Sequence, residues 1–214
     1  NSLNVAKGEK AYHASSITAT VHAVIVTALS AAALWQEPSF ASSTDFYQKS
    51  KLSLQCCEIF IGYILHDLVL SFWFGSLWPG WEANLLHHVC VAVTWWQLTA
   101  GEYAQGIALI AMVCEISTPF VNARWFMDKA GMKQSMLYTV NGLVMLLLFF
   151  SFRVCLYGWQ TIRLYQQRDG LLSLSALEAC SLLFCYFAGL FLQVFWCSKI
   201  FKGALKALSA PKTK

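Results

Sequence analysis

The sequence predicts an all-α, polytopic membrane protein, on three observations. Its 214 residues are 57% hydrophobic and only 12% charged, about half the charged share of a soluble domain, too little to solvate a surface. The apolar residues gather into six stretches of about 20, the length an α-helix needs to cross a bilayer core. Aromatic residues make up 15% of the chain and nine residues are tryptophan, and several of these stand at the ends of the apolar stretches, as an interfacial belt requires. The same composition excludes disorder and a soluble basic module, so no nucleic-acid partner is expected.

The first stretch runs from about Ala14 to Trp35 and closes before Pro38. The second covers Leu52 to Ser76 and ends at the Trp78-Pro79-Gly80 turn. The third and fourth, Glu82 to Ala100 and Tyr103 to Asn122, are parted only by Gly101-Glu102. Connections this short make consecutive helices antiparallel neighbours in one bundle. Gly131 separates the fourth from the fifth, Ser135 to Gln160, and the sixth runs from Ser175 to Phe201. One membrane domain is therefore expected over residues 11–206, with an N-terminal flank at 1–10 and a basic tail at 207–214. Asn1 is not an initiator methionine and no signal peptide precedes Ala14, so a further helix upstream is expected.

With six spans, both ends lie on one side, together with Lys7, Lys10, Arg124, Lys129, Lys133 and the lysines from Lys199 to Lys214. The other side offers only Lys49, Lys51, Arg163 and Arg168. The positive-inside rule places the first set, and with it the C-terminus, in the cytosol. Lys199, Lys202 and Lys206, spaced i, i+3, i+7 past the last span, read as a stripe for anionic lipid headgroups.

Polar side chains inside apolar spans need a partner or a wet cavity. At 1.5 Å per residue, His22, Asp67, His88, Glu115 and Asn141 all fall about 9–14 Å from the basic side, so five helices place one polar group at one depth. Ser15, Thr18 and His22 share one face of the first helix, and Tyr63, Asp67 and Ser71 one face of the second. Pro119 has no N–H to give the carbonyl of Glu115, which predicts a free carbonyl there. Arg153 and Glu178 read as a structural pair, and Trp35, Trp78, Trp81, Trp125 and Trp159 as interfacial anchors. The eight cysteines form no C-x-x-C pair and read as small apolar residues. Five histidines without H-x-x-x-H spacing argue against a metal site.

Leu85-Leu86-His87-His88, followed by Cys114-Glu115-Ile116-Ser117-Thr118-Pro119-Phe120-Val121-Asn122-Ala123-Arg124-Trp125-Phe126, resembles the TLC-domain family of TRAM and the longevity-assurance ceramide synthases. With Gly62-Tyr63, Asp67, Asn141-Gly142 and Arg153 around it, the string is most similar to the small TLC-domain-containing proteins, over roughly Ala11 to Lys206. The resemblance implies six helices ringing a central cavity in the endoplasmic reticulum, plasma membrane or another organellar membrane. In the ceramide synthases paired histidines in that cavity serve acyl transfer from acyl-coenzyme A. By motif position these are His87 and His88, and the first of two downstream aspartates matches Glu115. The second falls on Thr118, a departure from the two-acid pattern.

Three functions are compatible with these residues. The chain binds lipid or acyl chains in an intramembrane cavity and influences membrane lipid composition; or it is an acyl-coenzyme A-dependent acyltransferase; or it is a structural subunit of a larger membrane assembly or homodimer. Its candidate catalytic residues are His87, His88, Glu115 and Asp67. Its candidate cavity-lining residues are His22, Tyr63, His66, Thr118, Asn122 and Asn141. No cofactor is expected, and acyl-coenzyme A enters only as a substrate.

Overall fold

The computed structural model describes residues 2–209, with side chains placed from Ala6 to Lys206. The described residues form an all-helical bundle of α1 (Ser2–Gln36), α2 (Lys51–Phe74), α3 (Trp81–Ala100), α4 (Gln105–Val113), α5 (Thr118–Lys129), α6 (Met136–Leu148), α7 (Tyr157–Gln166), α8 (Arg168–Leu172) and α9 (Ala176–Ser209). A 3-10 turn, Cys114–Ser117, joins α4 to α5, and a π-helical stretch, Phe149–Leu156, joins α6 to α7. Each join continues one long rod. Five rods are long and apolar enough to cross a membrane: Ala6–Gln36, Lys51–Leu77, Gln105–Lys129, Met136–Gln166 and Ala176–Lys206. The third expected span is a helix of 20 residues, long enough to cross, but its Glu82, Asn84, His87, His88 and Gln97 leave it outside that apolar set.

Local signals set the ends. Ser50 begins α2 with a capping box completed by Ser53, and the Ser135 side chain accepts from the Tyr138 N–H at the start of α6. Gly80 and Gly131 turn the chain with φ of 71° and 73°, a conformation that a Cβ would strain. Residues 2–10, expected as a flank, instead continue α1, and α9 runs on to Ser209. The remaining tail, with Lys212 and Lys214, lies outside the described residues.

The helices close a ring in the order α1, α2, α3, α9, the α6–α7 rod, and the α4–α5 rod back to α1. Within the ring, α4 packs against α1, α2, α3 and α7, filling its end of the bundle. The apolar core collects there, with Val26, Phe40, Cys56, Cys57, Ala108, Leu109 and Met112 all buried. The loop after α1 seals that end: Arg163 donates to the carbonyls of Ser42 (3.0 Å) and Ser43, and Gln167 donates to Ser43 at 3.0 Å. Past the 3-10 turn, α5 leans away between α1 and α6. The other half of the ring, toward the basic face of Lys7, Lys10, Lys129 and Lys133, is therefore left open at its centre.

Of the expected tryptophan anchors, Trp35 is exposed and Trp159 partly so, but Trp78 is buried. Its indole N–H donates to the Gly8 carbonyl at 3.2 Å and its ring meets Tyr12 at 5.5 Å. A tryptophan at a span end can cap the bundle as readily as face lipid, and here α1 extends far enough to cover it.

Candidate functional site

The open half holds a cavity of about 330 Å³. Its walls include His22, Tyr63, Asp67, His87, His88, Glu115, Thr118 and Asn122, eight of the ten side chains expected there. The other two lie elsewhere. His66 is exposed on the outer face of α2, one residue and about 100° from Asp67 on the helix. Asn141 donates to the Phe120 carbonyl at 2.9 Å and ties α6 to α5, a role of interhelical glue. On α1 the inward stripe is Ser15, Ser16, Ala19 and His22; Thr18 is exposed and donates to its own helix at Ala14.

Two polar assemblies line the chamber. In the first, Ser15 Oγ donates to Asp67 Oδ1 at 2.6 Å, and Asp67 Oδ2 lies 3.2 Å from His88 Nε2. His88 Nδ1 is 3.0 Å from the Asn84 carbonyl, which can only accept, so Nδ1 carries a proton. That leaves Nε2 as the nitrogen turned toward the Asp67 carboxyl.

In the second assembly, Arg153 Nη2 donates to Glu115 Oε2 at 2.8 Å and to Thr118 Oγ1 at 2.7 Å, and Nε donates to Ser117 Oγ at 2.7 Å. Thr118 Oγ1 also donates to Glu115 Oε2 at 2.6 Å. Glu115 is thus committed to Arg153 and Thr118 and bonds to neither histidine. Arg153 does not pair with Glu178, which instead accepts from Ser175 at the start of α9. Nor is the Glu115 carbonyl free: the 3-10 turn lets the Thr118 N–H reach it, replacing the bond that Pro119 lacks.

His22 stacks on Tyr63 at 3.9 Å with its Nε2 buried and unpartnered. Asn122 donates to the Ser16 carbonyl (3.0 Å) and to Thr20 Oγ1 (2.9 Å), pinning α5 to α1. His87 sits edge-on to Trp196 at 5.3 Å, and its Nδ1 is buried without a partner. It also borders a smaller inner pocket of about 70 Å³ with Glu115, Arg153, Gln160 and Gln193. At the mouth stand Tyr12, Trp78 and Lys199, whereas Lys202 and Lys206 lie further along α9, exposed.

The sequence reading missed Arg153 as a cavity residue, along with Ser15 as the partner of Asp67. A basic residue deep inside an apolar span was the available signal.

A ring of membrane-spanning helices, solid at one end and hollow and polar at the other, defines a multi-pass α-helical membrane protein with an intramembrane chamber. The TLC-domain family profile matches residues 13–202, and the chain belongs to that family. It is similar to TLC domain-containing protein 4 A of Dictyostelium discoideum, 24% identical across all of this chain and 82% of that protein. It is also similar to TLC domain-containing protein 4 of Xenopus tropicalis, 28% identical over 92% of this chain and 76% of that one. The human protein of that name is 25% identical over 91% of this chain and 74% of its own length. These are small TLC-domain proteins rather than ceramide synthases. No solved structure matches the chain.

Proposed function

We propose that the chamber binds a membrane lipid, its polar head among Asp67, His88 and the Glu115–Arg153 pair, and that through this binding the protein influences membrane lipid composition. The observation that carries this reading is the contrast between the two halves of the bundle. One is packed around α4, while the other keeps a 330 Å³ chamber lined by hydrogen-bonded polar groups at one depth. Interhelical glue alone needs no such space. The positive-inside rule makes the basic face cytosolic, so the mouth opens toward the cytosolic leaflet of the endoplasmic reticulum or another cellular membrane.

The test is to purify the protein in mild detergent, denature it and identify the released lipid by mass spectrometry. Wild type releases about one lipid per chain, and Ala19→Trp, which fills the chamber from α1, releases little. Equal release from both would exclude the chamber as the site.

One observation favours a second reading, acyl transfer from acyl-coenzyme A. His88 has both nitrogens engaged, but His87 has an uncommitted one beside the chamber. In that reaction a His87 nitrogen bonds to the acyl carbon, the carbon–sulfur bond breaks, and the imidazole proton leaves with the thiol. Intact mass after exposure to acyl-coenzyme A would show an acyl increment in wild type and in His88→Asn, and none in His87→Ala. No increment in wild type would leave binding as the function.

A further inference from the structure

Arg124, on α5 at the basic face, is held in a constrained setting. Its guanidinium lies 4.0 Å above the Tyr138 ring, and Nη1 donates to the Tyr138 carbonyl at 3.4 Å. Gly142, one turn further along α6, lets it lie flat, since a Cβ there would collide with Nη1. That carbonyl is the only hydrogen-bond acceptor on the guanidinium among the described residues, which leaves most of its five N–H donors unused. The neighbouring acid, Asp128, is committed to Lys133 at 2.7 Å. Across the gap on α9, Lys199 rests its ammonium 4.2 Å from the Phe195 ring, with no carboxylate partner among the described residues. The two cations line a groove of about 640 Å³ bounded by Tyr12, Tyr138 and Gly203.

A second groove, about 540 Å³, runs down the outside of the bundle between α6 and α9 and meets the first at Leu143. Its walls are almost wholly carbon, from Leu146, Leu147, Phe150, Val154 and Phe201, and Leu147 and Phe150 are exposed. Two cations with no carboxylate partner among the described residues thus stand in a groove that runs on, at Leu143, into an apolar trough on the outside of the bundle.

We propose that this composite groove is a glycerophospholipid site. The phosphate bridges Arg124 and Lys199, and an acyl chain lies in the α6–α9 trough. A planar guanidinium preorganised on an aromatic ring suits the two terminal oxygens of a phosphodiester. The trough selects a lipid phosphate over a soluble one, because only a lipid brings a chain to cover it. The site lies beside the central chamber and shares Lys199 with its mouth, while Arg124 and the α6–α9 trough belong to it alone. It meets the mouth at Tyr12, Lys199 and Ile200, so a lipid held there stands at the entrance.

The experiment is native mass spectrometry of the full chain released from nanodiscs of phosphatidylcholine mixed with diacylglycerol of the same chains. Phospholipid is retained on wild type in preference to diacylglycerol. Arg124→Gln reduces that retention by about tenfold, the scale of losing charge-assisted hydrogen bonds. Leu147→Trp, an exposed substitution that leaves folding intact, also reduces it by occupying the trough. Unchanged retention in Arg124→Gln, or equal retention of diacylglycerol, overturns the proposal. Displacement by inorganic phosphate with Leu147→Trp silent overturns it too, in favour of a soluble phosphate.

Discussion

Arg153 Nη2 lies 2.8 Å from Glu115 Oε2, joining the midpoints of two membrane-spanning rods, one at its 3-10 turn and the other within its π-helical stretch. Both rods depart from regular α-helix where they meet. Removing one partner leaves a charge without compensation in a low-dielectric setting, a loss of about 3–5 kcal/mol. Arg153→Ala is therefore expected to lower the thermal midpoint sharply in detergent, and the double variant Arg153→Met/Glu115→Leu to recover most of the loss. A double variant as unstable as the single one would mean that the pair does not set the stability of this region.

The Asp67–His88 pair makes a different prediction. In Asp67→Asn the amide donates to His88 Nε2 and its oxygen still accepts from Ser15, so both hydrogen bonds survive with a neutral imidazole. Stability should change by less than about 1 kcal/mol, while Asp67→Ala, which orphans two groups, costs about 1–3 kcal/mol for each. Nitrogen-15 spectra of the Asn variant should show one protonated imidazole nitrogen, Nδ1. A spectrum with Nε2 protonated would refute the assignment built on the Asn84 carbonyl.

The two tryptophan environments separate by substitution. Trp78→Ala removes a buried ring and its bond to Gly8, and should cost about 3–5 kcal/mol. Trp35→Ala, at 85% exposure, should fall within about 0.5 kcal/mol. Thermal unfolding of the two variants side by side would reverse this order only if Trp78 faced the surroundings.

Tyr103, in the loop between α3 and α4, has a hydroxyl pushed up to about 12, chiefly by burial and then by the nearby Glu178 and Tyr47. A raised pKa in the folded state favours folding below the ordinary value of 10, and that contribution is lost as pH rises from 10 toward 12. Tyr103→Phe keeps the stack on Phe46 at 5.2 Å and removes an unpartnered buried hydroxyl. The variant should unfold less readily than wild type across that alkaline window. Parallel unfolding curves from pH 9 to 12 would contradict the shift.

Much of the chamber was legible because depth along a helix is read directly from residue count. His22, Asp67, His88 and Glu115 were placed together by arithmetic at 1.5 Å per residue. Rotation about the axis was less legible. Arg153 was paired with Glu178 as a far-side structural pair, and a regular wheel turning about 100° per residue, which puts Arg153 about 120° from Asn141, offered no sign of Glu115. The π-helical turns wind more slowly and bring it round to Glu115. Thr118 as a bridge between acid and guanidinium was hidden for a related reason, since the 3-10 turn before Pro119 is set by tertiary packing. His66 failed on a simpler point: with Asp67 turned squarely into the bundle, the residue before it on α2 falls on the outer, exposed face.

The π-helical stretch also changes how this rod accommodates a change in length. A π segment takes up extra residues in the hydrogen-bond ladder, so Phe149–Leu156 stores a phase offset between the wall that carries Asn141 and the wall that carries Gln160. Deleting a single residue there has an outlet that deletion elsewhere lacks: the segment can revert to α-helix without shortening the ladder by a bond. The rod stays whole and its two walls keep their facing, because the residue lost is one that the wide turns had taken up. A change of one codon there would thus be absorbed around Arg153 itself, while Asn141 and Gln160 on either side keep their places in the bundle.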